Sequence, residues 1–128
     1  MPTETTIVTG VDFAMVPTRN FEAAERFYGE VLGLPCSARY GRFDGAEFET
    51  GSLTLSVIHA ESMGMEFHLN RNPIALHVED MEAARAELES RGVEFKGDVL
   101  DTGVCHMAFF ADPDGNELML HNRYAPKE

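Results

Sequence analysis

Apolar and polar positions along this chain follow two rhythms, and the same succession of rhythms occurs twice. Phe21, Ala24, Phe27, Tyr28 and Val31 recur at three- and four-residue intervals, the spacing of one face of a helix. Asn20 is a good N-cap, Glu22 favours the positive end of the helix dipole, and Gly33 supplies the stop, so the pattern predicts a helix from Asn20 to about Leu32. A second helix is predicted from Asp80 to about Arg91, with Met81, Ala84 and Leu88 on its inner face. Asp80 caps it, Glu82 sits in its first turn and Gly92 ends it.

Strand-like runs surround each helix in the same order. An apolar run precedes each one, Val11 to Val16 in the first case and Ile74 to Val78 in the second. After the first helix come Ser37–Tyr40, Ala46–Glu49 and Leu53–Ile58. After the second come Val93–Phe95, Val104–Ala111 and Glu117–His121, with Asp112-Pro113-Asp114-Gly115 as the turn before the last. The helix starts also match, Asn20-Phe21-Glu22-Ala23-Ala24 against Asp80-Met81-Glu82-Ala83-Ala84. This is a duplicated strand–helix–three-strand unit. The expectation is a single domain over 1–128, with module 1 at about 7–59, a Met-rich polar linker at about 60–72 and module 2 at about 73–122. Its class is α+β: two tandem βαβββ modules, each sheet covered on one face by its helix. The other faces can curl together into an open, barrel-like cleft.

The length of 128 residues suits one domain with a core of its own. No run approaches the roughly 18 apolar residues of a membrane span. Met1-Pro2-Thr3-Glu4 has neither the basic start nor the apolar stretch of a signal peptide. Cys36 and Cys105 stand far apart without metal-binding spacing, which reads as two reduced thiols, and the expected location is the cytoplasm. Ten basic against 22 acidic residues give a net charge of −12. Nucleic acid and anionic membrane are therefore poor partners, and a cationic ligand is a better one. No glycine-rich phosphate loop, catalytic triad or paired-carboxylate motif is visible.

Three stretches then carry a resemblance. Val11-Asp12-Phe13-Ala14-Met15-Val16-Pro17 leads into Phe21-Glu22-Ala23-Ala24-Glu25-Arg26-Phe27-Tyr28 and Val31-Leu32-Gly33-Leu34, and the opening strand recurs as Ile74-Ala75-Leu76-His77-Val78-Glu79-Asp80. Most specific is Phe110-Ala111-Asp112-Pro113-Asp114-Gly115-Asn116-Glu117-Leu118-Met119-Leu120. Together they resemble the vicinal-oxygen-chelate superfamily, which includes glyoxalase I, extradiol dioxygenases, fosfomycin-resistance enzymes and bleomycin-resistance proteins. That resemblance implies four inward-pointing positions where the metalloenzymes place His or Glu. Here they fall at Phe13, at Pro73, at Met119 (four residues after Gly115) and, counted likewise from Gly51, at Leu55. None offers the imidazole or carboxylate that a borderline or hard divalent metal wants. The expectation is no metal and no cofactor.

Strand alternation assigns Phe13, Met15, Leu55, Val57, Ala75 and Met119 to one shared face, an apolar floor where a metal would sit. Two-residue steps extend it to His59, His77, Glu117 and His121, with His106 placed across from His121; these are candidates for polar ligand contacts, or simply histidines at strand ends. His77, His121 and Glu117 are also a candidate displaced metal site. Tyr40 and Phe43 either cover the cleft or pack a hairpin. Met63, Met65 and Phe67 in the linker read as core or interface filler, and His68 as solvent-facing or part of a dimer contact. The leading expectation is a metal-free, homodimeric binding protein of the bleomycin-resistance type that sequesters a small cationic or aromatic molecule, an antibiotic or a metabolite. The alternative is a lyase, isomerase or dioxygenase using a displaced metal or histidine acid–base chemistry. A third reading is an accessory domain with a vestigial pocket.

Overall fold

Asn20 and Asp80 cap the two helices in the same way, each side chain accepting from the backbone N–H three residues on, at 3.2 Å from Ala23 and 3.1 Å from Ala83. The computed structural model describes residues 6–126, so Met1–Glu4 lies outside the described residues. Helix α1 (Phe21–Arg26) continues as one wider π-helical turn (Phe27–Val31), closed by Leu32 N–H donating to Phe27 C=O at 2.8 Å. Helix α2 (Met81–Ser90) has no such turn. Gly33 and Gly92 then end the two helical segments at φ of 74° and 97°, a left-handed conformation that suits glycine.

Both modules build a four-stranded sheet of the same order. In module 1, β1 (Phe13–Thr18), β2 (Cys36–Arg39), β3 (Gly45–Glu49) and β4 (Thr54–His59) are ordered β1-β4-β3-β2. In module 2, β5 (Ile74–His77), β6 (Leu100–Asp101), β7 (Cys105–Ala111) and β8 (Glu117–Arg123) are ordered β5-β8-β7-β6. The opening strand of each runs parallel to the closing one, and the remaining pairs are antiparallel. The α+β duplication holds in element order and in pairing. One expected strand does not form: Val93–Phe95 is extended chain. Val93 is buried, Phe95 packs its ring 5.2 Å from that of Phe110, and the short strand β6 falls at Leu100–Asp101 instead.

The helix-covered faces of the two sheets merge into a single core. Val16, Phe48, Leu55 and Val57 from module 1 join Ala108, Phe110, Leu118 and Leu120 from module 2 in one buried cluster. Phe27 of the π turn bridges them, its ring centroid 6.4 Å from that of Phe110. A buried polar clasp reinforces the junction: Tyr28 Oη donates to Asp112 Oδ2 at 2.7 Å, and Asn116 Nδ2 donates to Pro17 C=O at 2.8 Å. This arrangement corrects the barrel-like cleft expected within one chain. The modules associate through their helix-covered faces, so the two sheets do not close on one another and their free faces stay on the surface. Phe13, Met15 and Leu100, all on those faces, are 46%, 39% and 49% exposed.

Candidate functional site

Register decides which side chains share the free faces. In module 1, Phe13 pairs with Thr54, Met15 with Ser56 and Pro17 with Ile58, while Ala14 pairs with Leu55 and Val16 with Val57. Phe13 and Met15 are therefore on the free face as expected, but Leu55 and Val57 are not. Both are fully buried under α1, at 0% exposure. The shared-face reading fails for these two because the β3–β4 turn is spaced differently from its counterpart. Gly51 precedes the first residue of β4, Thr54, by three positions, whereas Gly115 precedes that of β8, Glu117, by two. One residue of slip reverses a side chain's face. By pairing, the module-1 equivalent of Met119 is Ser56, since Met15 pairs with Ser56 as Ala75 pairs with Met119. His59 falls with Val57 at the end of β4, opposite Thr18, where its Nδ1 is 3.7 Å from an Asp44 carboxylate oxygen.

The free face of module 1 is more polar than the sequence suggests. Glu47 and Glu49 of β3 stand opposite Ser56 and Thr54 of β4. Tyr40 folds back over this face. Its ring lies against Gly45, where a Cβ would sit 2.5 Å from a ring carbon, so only glycine admits it. The Tyr40 hydroxyl donates to Glu47 Oε2 at 2.8 Å and is 2.7 Å from Ser56 Oγ. Burial raises its pKa above the ordinary tyrosine value, the Ser56 hydrogen bond working against that and Glu47 adding to it. Glu49 accepts from Ser37 and from Thr54, and these hydrogen bonds hold its carboxyl below the usual range, so it stays ionised. The count of four from Gly51 lands one residue short of Ser56, and Glu47 and Glu49 lie on β3, a strand that this count does not reach. Tyr40 was the one signal, and Phe43 stacks beside it at 5.3 Å between centroids.

Module 2 presents a different free face. Ala75 and His77 of β5 pair with Met119 and His121 of β8, and Met107 and Phe109 of β7 pair with His121 and Met119. This gives an apolar surface with two neighbouring imidazoles. His77 is exposed, with Nε2 2.7 Å from Glu79. His106 does not face His121: it pairs with Asn122 on the helix side, its ring 4.9 Å from Tyr124 and its Nε2 3.5 Å from Asp101. Glu117 is on the free face but four residues from His121, roughly 13 Å along a strand. It forms an ion pair with Lys96 Nζ, at 2.7 and 2.8 Å to its two oxygens. His77, His121 and Glu117 thus do not converge, and among the described residues no three His, Cys, Asp or Glu side chains are grouped to hold a metal.

The superfamily's metal does not fit the residues present. Phe13, Ser56, Pro73 and Met119 occupy the four positions. A phenyl ring, a hydroxyl, an aliphatic pyrrolidine ring and a thioether do not supply the imidazole and carboxylate that a hard or borderline divalent ion wants. Elemental analysis of protein purified without chelator is expected to find well under one equivalent of zinc, nickel, iron or manganese per chain. One equivalent, lost on His77→Ala or His121→Ala, would contradict this.

The whole-chain comparisons agree with the fold. The family model for the Glyoxalase/Bleomycin resistance protein/Dioxygenase superfamily matches residues 10–120. The chain belongs to that superfamily. It matches none of the curated proteins. It is similar to the structure of TnmS3, an antibiotic binding protein from Streptomyces sp. CB03234, at 25% identity and a TM-score of 0.76 over 91% of this chain and 97% of that one. A glyoxalase/bleomycin resistance protein from the same Streptomyces gives 25% identity and a TM-score of 0.71 over 88% and 100%. Lactoylglutathione lyase from Agrobacterium tumefaciens shares the fold at 13% identity and a TM-score of 0.76 over 90% and 94%.

Proposed function

We propose that this protein binds and sequesters a small cationic molecule with a flat or apolar body, without a metal, in clefts completed by a second copy of the chain. The observation that carries this reading is the pair of open, chemically different sheet faces. Module 1 offers Phe13 and Met15 beside the carboxylates of Glu47 and Glu49. Module 2 offers Met107, Phe109 and Met119 beside His77 and His121. Within one chain these faces do not meet, so a ligand enclosed by both needs the module-1 face of one protomer and the module-2 face of its partner. The antibiotic-binding relative at 25% identity supports a binding rather than a catalytic role.

Apolar contact would supply most of the affinity, at about 25 cal/mol per Å² buried before the cost of association. Glu47 and Glu49 would select the sign of the ligand, and the net charge of −12 would speed its encounter. A cytoplasmic location suits two free thiols, Cys36 and Cys105, and no helix among the described residues is long and apolar enough to cross a membrane. Light scattering at micromolar concentration is expected to give a dimer. A thermal-shift screen should find stabilisation by cationic aromatics, bleomycin-type glycopeptides included, and not by their anionic counterparts. A monomer, or stabilisation by neutral and anionic metabolites alone, would count against the proposal.

A further inference from the structure

The duplication supplies an internal comparison for a cavity of about 390 Å³ at the junction of α2, the β3–β4 turn and β5, bordered on the β5 side by Ala75 and His77. In module 1, Tyr28 runs from α1's π turn across the module junction. It is fully buried, and its hydroxyl ends on Asp112, the first residue of the β7–β8 turn. Sixty residues on, the equivalent helical position is Leu88, and the first residue of the equivalent β3–β4 turn is Thr50. Leucine is shorter than tyrosine and carries no hydroxyl. Thr50 Oγ1 donates instead to Leu53 C=O within its own turn, at 2.7 Å. The space that a ring fills at one junction is left open at the other.

The walls of that space are aliphatic. Leu32 and Leu34 come from the end of the π turn and the loop after it, Leu53 from the β3–β4 turn, Ile74 and Leu76 from β5, and Leu88 from α2. Polar side chains lie at its edge, where Ser52, His77, Glu87 and Arg91 are exposed. The Arg91 guanidinium is already committed, to Glu87 at 3.0 Å and to Val31 C=O at 2.9 Å. His77 Nε2 is likewise taken up by Glu79, at 2.7 Å. Its inner walls give water few partners, so an apolar body is the better occupant there. The volume is within the range of small-molecule pockets.

We infer that this cavity is a second binding site, distinct from the cleft between the free faces although it shares the edge strand β5 with one of them, for a neutral, compact aliphatic molecule whose single hydroxyl or amide reaches Ser52 at the rim. Calorimetric titration of the full chain with 1-hexanol and 1-octanol tests it, with hexanoate and hexylamine as charged controls. The expected result is one alcohol per chain, with both charged analogues at least about tenfold weaker. Leu88→Tyr, which installs the module-1 solution, should abolish alcohol binding while leaving the response to cationic aromatics unchanged. Leu53→Phe should fill the same space from the opposite wall, which keeps the test valid if Leu88→Tyr does not fold. Failure of wild type to bind either alcohol would overturn the inference, as would equal binding by wild type and the filled variants. A filled variant that alters only the oligomeric state would assign the space to a second copy of the chain and would overturn it too.

Discussion

Asp112→Ala is expected to lower the unfolding free energy by about 3–5 kcal/mol, a large part of the roughly 5–15 kcal/mol that holds a domain of this kind together. Asp112 is buried and accepts four hydrogen bonds: from Tyr28 Oη at 2.7 Å, from Asn116 Nδ2 at 2.9 Å, and from the backbone N–H groups of Asp114 and Asn116 at 2.9 Å each. Alanine would strand all four donors in a site that water reaches poorly, and an unpaired buried donor costs more than its hydrogen bond contributes when made. The damage would not stay local. Asn116 also accepts from Asn70 N–H in the linker and donates to Pro17 C=O in β1, while Thr18 and Arg19 bond Asp114. The Asp112 turn thereby ties β1, α1, the linker and β8 together. Urea denaturation followed by circular dichroism gives the measurement, and a loss under about 1 kcal/mol would show that the clasp is not a principal support.

Tyr28→Phe removes one of those bonds and should cost about 1–2 kcal/mol. It has a further signature. Burial, then the charge of Asp112 and the hydrogen bond to it, raise the Tyr28 pKa well above its ordinary value of 10.0. A raised folded-state pKa means that the stability tied to this proton is fully present below pH 10 and is lost as pH rises from there toward the folded-state value. Alkaline unfolding of the wild type should therefore steepen above pH 10, and Tyr28→Phe should flatten that part of the curve.

The second large effect is on binding. Met119→Glu is expected to weaken the proposed ligand by about 10- to 100-fold, or about 1.4–2.8 kcal/mol, chiefly through faster dissociation. Met119 lies between Ala75 of β5 and Phe109 of β7 on the apolar free face of module 2. A carboxylate enclosed there by ligand and partner loses its hydration without gaining a hydrogen bond. Because the face is open in the single chain, the urea midpoint should change little. Raising salt to about 0.5 M should act at the other step, slowing association several-fold by screening the acidic field while changing dissociation much less. Stopped-flow kinetics separates the two, and a Met119→Glu effect confined to the association rate would remove the apolar floor from the account.

Local chemistry was legible in the sequence wherever a short motif sufficed. The Asn20 and Asp80 caps, the Gly33 and Gly92 stops and the Asp112-Pro113-Asp114-Gly115 turn act within a few residues of chain, and the caps and stops recur, so each half corroborates the other. Register was less legible. Leu55 and Ser56 differ by one position, and only the real length of the β3–β4 turn decides which of them faces the core. The same uncertainty put His106 opposite His121, where Met107 stands. The joining of the modules was not legible at all. Whether two amphipathic sheets enclose a cleft or share a core depends on contacts such as Phe27 on Phe110 and Tyr28 on Asp112, which are 83 and 84 residues apart in the chain. Those contacts leave Phe13, Met15 and Met119 on open faces rather than inside a closed barrel.

Calorimetric titration of chelator-treated protein with the cationic aromatic that gives the largest thermal shift bears most directly on metal-free binding. The account predicts one ligand per chain, a negative heat-capacity change from apolar burial, and an affinity unaltered when zinc, nickel or iron is added back. Binding that is absent from the stripped protein and returns only with a stoichiometric metal would contradict it.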